Sequence, residues 1–129
     1  MTDSPSPAPG SIAWHDLTVE NAAEVGDFYQ QVVGWSSEPV DMDGYADFNM
    51  VEPGTGQPAA GVCHARGSNA EIPAQWLMYV VVADLDQSMA RCREMGGKVV
   101  SGPRAVGKAR FCVIRDPAGA SMALYQTEA

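Results

Sequence analysis

Long apolar runs are the first thing this 129-residue chain lacks. None reaches the length that a membrane span requires, so no membrane partner is expected. Basic charge is scarce as well: eight Lys and Arg face sixteen Asp and Glu, for a net charge of −8 without any basic stripe. Nucleic acid and anionic membrane surfaces would be repelled by such a balance. The acids are scattered rather than run together, which suits a solvated surface, and an acidic surface favours cationic ligands. Cysteine occurs three times, at Cys63, Cys92 and Cys112, with no CxxC spacing. An odd count in apolar segments speaks against a disulfide scaffold and reads as small buried thiols in a reducing cytoplasm. The opening MTDSPSPAPGS holds prolines and an acid but no apolar stretch, so it does not resemble a signal peptide, and residues 1–10 are expected to form a flexible tail.

What is present is ordinary globular composition, 46% hydrophobic and 19% charged, at a length that fits one domain with its own core. Strand-like SIAWHDLTV (11–19) leads into ENAAEVGDFYQQVVGW, where Ala22, Val25, Tyr29, Val32 and Val33 fall at helical spacing. Asn21 is the expected N-cap and Gly34 the stop. SEPV, YADFNMV and AAGVCHA follow as three short strands broken by turn residues. After a linker over 66–74 the order recurs: QWLMYVVV is a strand, and DLDQSMARCREMGG is a helix with Leu85, Met89, Cys92 and Met95 on one side. KVVS, ARFCVIRD and ASMALYQ are the closing strands. GSNAEIPA and GPRAVGKA contain glycines outside any strand-to-helix phosphate pattern and read as loops.

Gly34 and Gly96 stand 62 positions apart, and so do Trp14 and Trp76. The chain therefore reads as an α+β domain of two tandem βαβββ modules, 11–65 and 75–129, forming a curved mixed sheet around a cup-shaped cavity.

The segments AWHDLTVENAAEVGDFYQQVVGW, WLMYVVVADLDQSMARCREMGGKVV and ARFCVIRDPAGASMALYQ, with the Phe28, Tyr29, Gly34 and Trp35 helix end and the DPAG turn, resemble the vicinal oxygen chelate superfamily. That superfamily includes glyoxalase I, extradiol dioxygenases, fosfomycin-resistance enzymes and bleomycin-resistance proteins. The resemblance implies paired modules, an open cup, a homodimer and, in metal-dependent members, ligands on the first and last strand of each module. Those positions fall here on Trp14, Gly61, Leu77 (or Trp76 if the two helices match in step) and Ala123, and none of these side chains carries a metal donor. No cofactor is therefore expected, a divalent metal being the alternative. His15 and His64, the only histidines, would have to supply relocated ligands.

Asp16 shares a strand face with Trp14 and Thr18, and a carboxylate there could anchor a polar group or serve as general base. The competing reading is an acid at the rim or one paired with an arginine. Trp14, Trp76, Tyr79, Phe111 and Tyr125 lie on strands and are candidate ligand-binding aromatics, with core packing as the bland alternative. Cys63 shares a face with Gly61 and so is a candidate contact; no base on that face activates it, which makes an inert thiol the better reading. The expected function is a cytoplasmic glyoxalase-like or bleomycin-resistance-like protein that binds a small cationic or aromatic molecule without the usual metal site. The alternative is a lyase, isomerase or dioxygenase of the same superfamily, with relocated ligands or with Asp16 as its candidate catalytic residue. A third reading is a structural dimer whose cup is filled by its own side chains.

Overall fold

A computed structural model describes residues 7–127, so most of the expected tail, residues 1–6, and residues 128–129 lie outside the described residues. Eight strands and two α-helices follow one another as β1 (Ile12–Val19), α1 (Ala22–Val33), β2 (Ser36–Asp41), β3 (Ala46–Val51), β4 (Pro58–His64), β5 (Trp76–Val81), α2 (Leu85–Glu94), β6 (Lys98–Val106), β7 (Ala109–Arg115) and β8 (Ser121–Gln126), with a 3₁₀ turn over Gly67–Asn69 between β4 and β5. This is the α+β, twice-repeated βαβββ order that the sequence implies. Residues 14–76 form one compact unit, and residues 77–127 with 7–13 form the other; they are called the N-terminal and C-terminal units below.

In the N-terminal unit the strand order is β2-β3-β4-β1. β1 and β4 are parallel, with Asp16 opposite Gly61 and Thr18 opposite Cys63, while β2–β3 and β3–β4 are antiparallel. A parallel pair needs a crossover, and α1 begins it. Ala22, Met50 and Val62 are fully buried between helix and sheet, with Val19, Val25, Trp35, Phe48 and Trp76 around them. Gly34 ends α1 at φ 90°, donating its N–H to the Gln30 carbonyl, as its position predicts. Both expectations for α1, Asn21 at the N-cap and the helical spacing of its apolar residues, hold, with two further details. Asn21 occupies the N-cap but makes no capping bond with its side chain, because its Nδ2 turns to the Glu24 carboxylate at 3.5 Å. Val32 and Val33 continue the helical spacing of the apolar residues, yet they stand largely in solvent along with Phe28.

The C-terminal unit repeats the plan with order β5-β8-β7-β6. β5 and β8 are parallel, with Tyr79 opposite Ala123 and Val81 opposite Tyr125; β6–β7 and β7–β8 are antiparallel. Asp84 caps α2 by accepting the Gln87 N–H at 3.1 Å. Leu85, Met89, Cys112 and Leu124 form the core beneath that helix, with Val99, Ile114 and Met122 packed against it. Residues 10 and 11 are held at the edge of this unit: Gly10 donates its N–H to the Val81 carbonyl at 2.7 Å, and the Ser11 carbonyl accepts the Val81 N–H at 2.9 Å. The DPAG turn is closed by Asp116, whose Oδ1 accepts the N–H groups of Ala118 and Ala120 at 2.8 and 3.0 Å.

The reading of GPRAVGKA as a loop is corrected at its start, since β6 runs on to Val106. The strand absorbs Gly102 and Pro103 through register shifts between Val99 and Ser101 and between Ser101 and Arg104. Bulges of this kind let a strand carry residues that a regular ladder rejects. Gly102 sits at φ 90°, and a Cβ there would press on the Phe111 carbonyl at 3.0 Å.

Candidate functional site

Strand alternation divides each sheet into a helix-facing side and an opposite side. In the N-terminal unit Met50 and Val62 point to α1, so the opposite face carries Trp14, Asp16 and Thr18 from β1, Gly61 and Cys63 from β4, and Asp47 from β3. The Trp14 indole N–H donates to Asp16 Oδ1 at 2.7 Å, which fixes the carboxylate at the edge of the indole ring. Asp16 fills the space over Gly61, because a Cβ built there would collide with its carboxylate and would lie 3.4 Å from Trp14 Nε1. The backbone at Gly61 is not in the left-handed region. Space rather than conformation is what requires glycine at this point.

Cys63 stands on the same face. Burial first, then the charges of Asp16 and Asp47 and a hydrogen bond to Asp47, hold its thiol well above the ordinary range. It is a protonated, unreactive thiol rather than a nucleophile. Asp47 is 5% exposed and is the hub of this edge: its Oδ1 accepts the backbone N–H of His64 at 2.8 Å and lies 3.1 Å from His64 Nδ1. Tyr45 meets the His64 ring edge-on at 5.6 Å, and the Arg66 guanidinium lies 3.9 Å over Tyr45. His64 is thus tied to Asp47, while His15 lines a separate recess of about 230 Å³ with Trp35, Ala59, Ala60 and Trp76. Among the described residues no three His, Cys, Asp or Glu side chains are grouped to hold a metal ion.

In the C-terminal unit Cys112 and Leu124 point to α2. The opposite face therefore carries Tyr79, Val81, Phe111, Val113, Ala123 and Tyr125. Tyr79 and Phe111 are tilted neighbours at 5.8 Å between ring centroids. Ser101 and Arg104 pair across β6–β7 with Val113 and Phe111 and so join this side. Arg104 donates to Ser101 Oγ at 2.7 Å, and its guanidinium lies 5.1 Å from the Phe111 ring centre.

Trp76 behaves differently from the other aromatic candidates. It packs on the α1 side of its unit, 5.3 Å from Tyr29 and 6.1 Å from Trp35, and its indole N–H donates to the Tyr29 hydroxyl at 3.1 Å. The strand registers explain why. Gly61 and Ala123 are 62 residues apart, but their partners Asp16 and Tyr79 are 63 apart. The counterpart of Trp14 is consequently Leu77, which is buried. Of the seven candidates, the structure brings Trp14, Asp16 and Cys63 together in one unit and Tyr79, Phe111 and Tyr125 on one face of the other. Asp47 and Arg104 were not singled out by the sequence. An acid in mid-strand was the available signal for Asp47, whereas Arg104 is turned to its face by a bulge that no alternation count contains.

Cys112 offers a check on this placement. Burial, followed by the neighbouring Cys92, pushes its thiol up to about 11 from an ordinary 9.0. Between those values the folded chain keeps a proton that the unfolded chain has given up. The contribution of this thiol to stability is therefore constant below about pH 9 and falls above it by about 1.4 kcal/mol per pH unit, roughly 3 kcal/mol by pH 11. Urea midpoints measured at pH 8.5 and 10.5 should drop more for the wild type than for Cys112→Ala; an equal drop in both would contradict the buried thiol.

Two βαβββ units, each with a helix packed on one face of its own strands, match the architecture of the vicinal oxygen chelate superfamily. Residues 14–125 match the model of the glyoxalase-like domain, and the chain belongs to that family. It is 31% identical over 135 aligned positions to the anthracycline biosynthesis protein DnrV of Streptomyces peucetius, with 92% of this chain against 48% of that protein. Its identity to the anthracycline biosynthesis protein DauV of Streptomyces sp. strain C5 is 30%, over the same shares of the two chains. The chain thus spans about half the length of the curated relatives it matches. Among solved structures it resembles a glyoxalase/bleomycin resistance protein/dioxygenase superfamily member from Vibrio splendidus, at TM-score 0.58 and 11% identity over 91% of this chain and all of that one. It also resembles the methylmalonyl-CoA epimerase of Streptomyces coelicolor, at TM-score 0.53 and 17% identity over 95% and 100%. No helix among the described residues is long and apolar enough to cross a membrane.

Proposed function

We propose that this chain binds a small aromatic molecule on the sheet faces turned away from its helices, without the metal site of its metal-dependent relatives. The observation that carries this reading is the exchange at Gly61. The position that the superfamily resemblance assigns to a last-strand ligand has no side chain, and the Asp16 carboxylate, held by Trp14, occupies that space. Trp14, Leu77 and Ala123 at the three corresponding positions have no donor for a divalent metal. The residues present do not fit a metal there. Each unit by itself offers flat apolar area to a planar guest: Trp14 in the N-terminal unit, and Tyr79, Phe111 and Tyr125 in the C-terminal unit. Asp16 gives an acceptor for a hydroxyl or ammonium group. The name of DnrV, which ties that relative to the biosynthesis of an aromatic natural product, agrees with an aromatic guest.

The test is a melting series on chelator-treated protein. A ligand that binds only the native state raises the melting temperature by mass action. Millimolar 2-naphthamide, a neutral planar aromatic, should raise it by a few degrees, whereas Mn²⁺, Ni²⁺ and Zn²⁺ should leave it unchanged. A metal that stabilises the fold while the aromatic does not would overturn the reading in favour of a metal site built from relocated ligands.

A second reading, an enzyme that uses Asp16 as general base, is favoured by the hydrogen bond from the Trp14 indole, which fixes that carboxylate in position. Asp16→Asn separates the two. A binder should keep its affinity for 2-naphthamide within about threefold, while a base-dependent enzyme assayed on a ligand recovered from its host should lose about 10² to 10⁴ in turnover and still bind.

A further inference from the structure

The charge of this chain is unevenly divided. Seven of its eight Lys and Arg residues lie from position 77 onward, together with only five of its sixteen acids. The acidic excess belongs to the first half, so the argument from overall charge to a cationic guest does not hold for the C-terminal unit.

Within that unit the cations are disposed in different ways. Arg110 points to the α2 side and forms a bidentate pair with Asp86 at 3.0 and 3.1 Å. Arg91 lies 3.4 Å from Glu94 on the exposed surface of α2. Arg104 stands on the aromatic face, and its presence there depends on a local irregularity. In a regular strand Ser101 and Arg104, three residues apart, would point to opposite sides. The register shift that takes in Gly102 and Pro103 sets Ser101 opposite Val113 and Arg104 opposite Phe111, and so turns both side chains to one side. Bulges re-aim side chains in this manner beside binding sites. Once turned, the guanidinium is steadied by the Ser101 hydroxyl at 2.7 Å and by the Phe111 ring 5.1 Å away. Tyr79 extends the aromatic surface beyond Phe111, and Tyr125, opposite Phe111 on β8, lies on the same side.

We propose that Arg104 is the anchor for an anionic oxygen, a carboxylate or phenolate, carried by the aromatic guest. This rests on the binding reading above and narrows it. A guanidinium presents five N–H groups in a planar fork whose geometry matches a carboxylate. The cation–π contact holds the guanidinium beside Phe111, and a guest ring alongside Tyr79 and Phe111 would carry its oxygen substituent towards the fork.

Three probes that share one ring system test it: 2-naphthoate, 2-naphthamide and 2-naphthylmethylammonium, titrated against wild type, Arg104→Gln and Arg104→Lys. Wild type should bind the carboxylate at least about tenfold more tightly than the amide, and the ammonium more weakly than either. Arg104→Gln should bring carboxylate and amide to parity with the amide affinity unchanged, and Arg104→Lys should restore part of the preference. Retained amide affinity shows that the glutamine variant is folded. Equal affinity for carboxylate and amide in the wild type overturns the role of Arg104, and so does a preference that survives in Arg104→Gln; in both cases the binding reading stands. Failure of all three probes to bind at millimolar concentration overturns both.

Discussion

Replacing Gly61 by alanine should destabilise the protein by about 2–3 kcal/mol and release Asp16 from Trp14. The added Cβ falls on the Asp16 carboxylate and lies 3.2 Å from its Cγ. β1 and β4 pair directly at this point, so the strands cannot part locally without loss of ladder hydrogen bonds. The side chain of Asp16 has to leave, and the 2.7 Å bond from the Trp14 indole goes with it. The effect should depend on Asp16 itself. In a double-mutant cycle Gly61→Ala should cost at least about 1.5 kcal/mol less in an Asp16→Ala background than in the wild type. Additive effects would show that the two residues do not compete for the same space. A shift in intrinsic fluorescence should accompany the single variant, since the Trp14 indole N–H loses its bond to the Asp16 carboxylate.

The second large effect is expected at Asp47. Its buried carboxylate satisfies the backbone N–H and the ring nitrogen of His64, and it takes a hydrogen bond from the Cys63 thiol. Asp47→Ala leaves all three groups without that acceptor, at a cost of about 3 kcal/mol, or roughly 10 °C in melting temperature for a chain of this length. Asp47→Asn keeps an acceptor oxygen and loses the charge, so it should fall between the two. The same substitutions act on Cys63 in a known direction. Asp47 helps to hold that thiol protonated through its charge and its hydrogen bond, so its removal lowers the thiol pKa. Maleimide labelling of Cys63 at pH 8 should therefore be faster in Asp47→Ala, by about tenfold, while the protein remains folded. Unchanged labelling would place the thiol and the carboxylate out of contact.

Most of the architecture was open to sequence reasoning, because the signals that mark it are local. Gly34 needs a left-handed conformation and stops α1. Asp116 and Gly119 shape a turn within five residues. Period-two and period-3.6 patterns separate strands from helices wherever one face is covered. The absence of metal donors at Trp14, Gly61, Leu77 and Ala123 was also legible, since it needs only residue identities and a strand count. Other features depend on what lies across a strand. That Asp16 would lean into the room left by Gly61 follows from a pairing between residues 45 positions apart, and no spacing along the chain encodes it. The facing of Arg104 depends on a bulge in β6, which makes any simple alternation count fail after Ser101. Asn21 shows the reverse case: a residue of the right type at the right place makes a different bond, to Glu24.

The one-residue difference in register between the leading strands bears on how this domain can change over time. Trp14 and Trp76 look like copies of one ancestral position, yet one belongs to the face that carries Asp16 and the other to the packing around Tyr29 and Trp35. Because a strand alternates sides at every residue, a single-residue slip exchanges the two environments completely. The two halves are therefore repeats in order and connectivity but not in the duties of matching residues. Substitutions cannot be transferred from one half to the other by counting, and the halves are free to diverge independently, one keeping acids and the other acquiring bases.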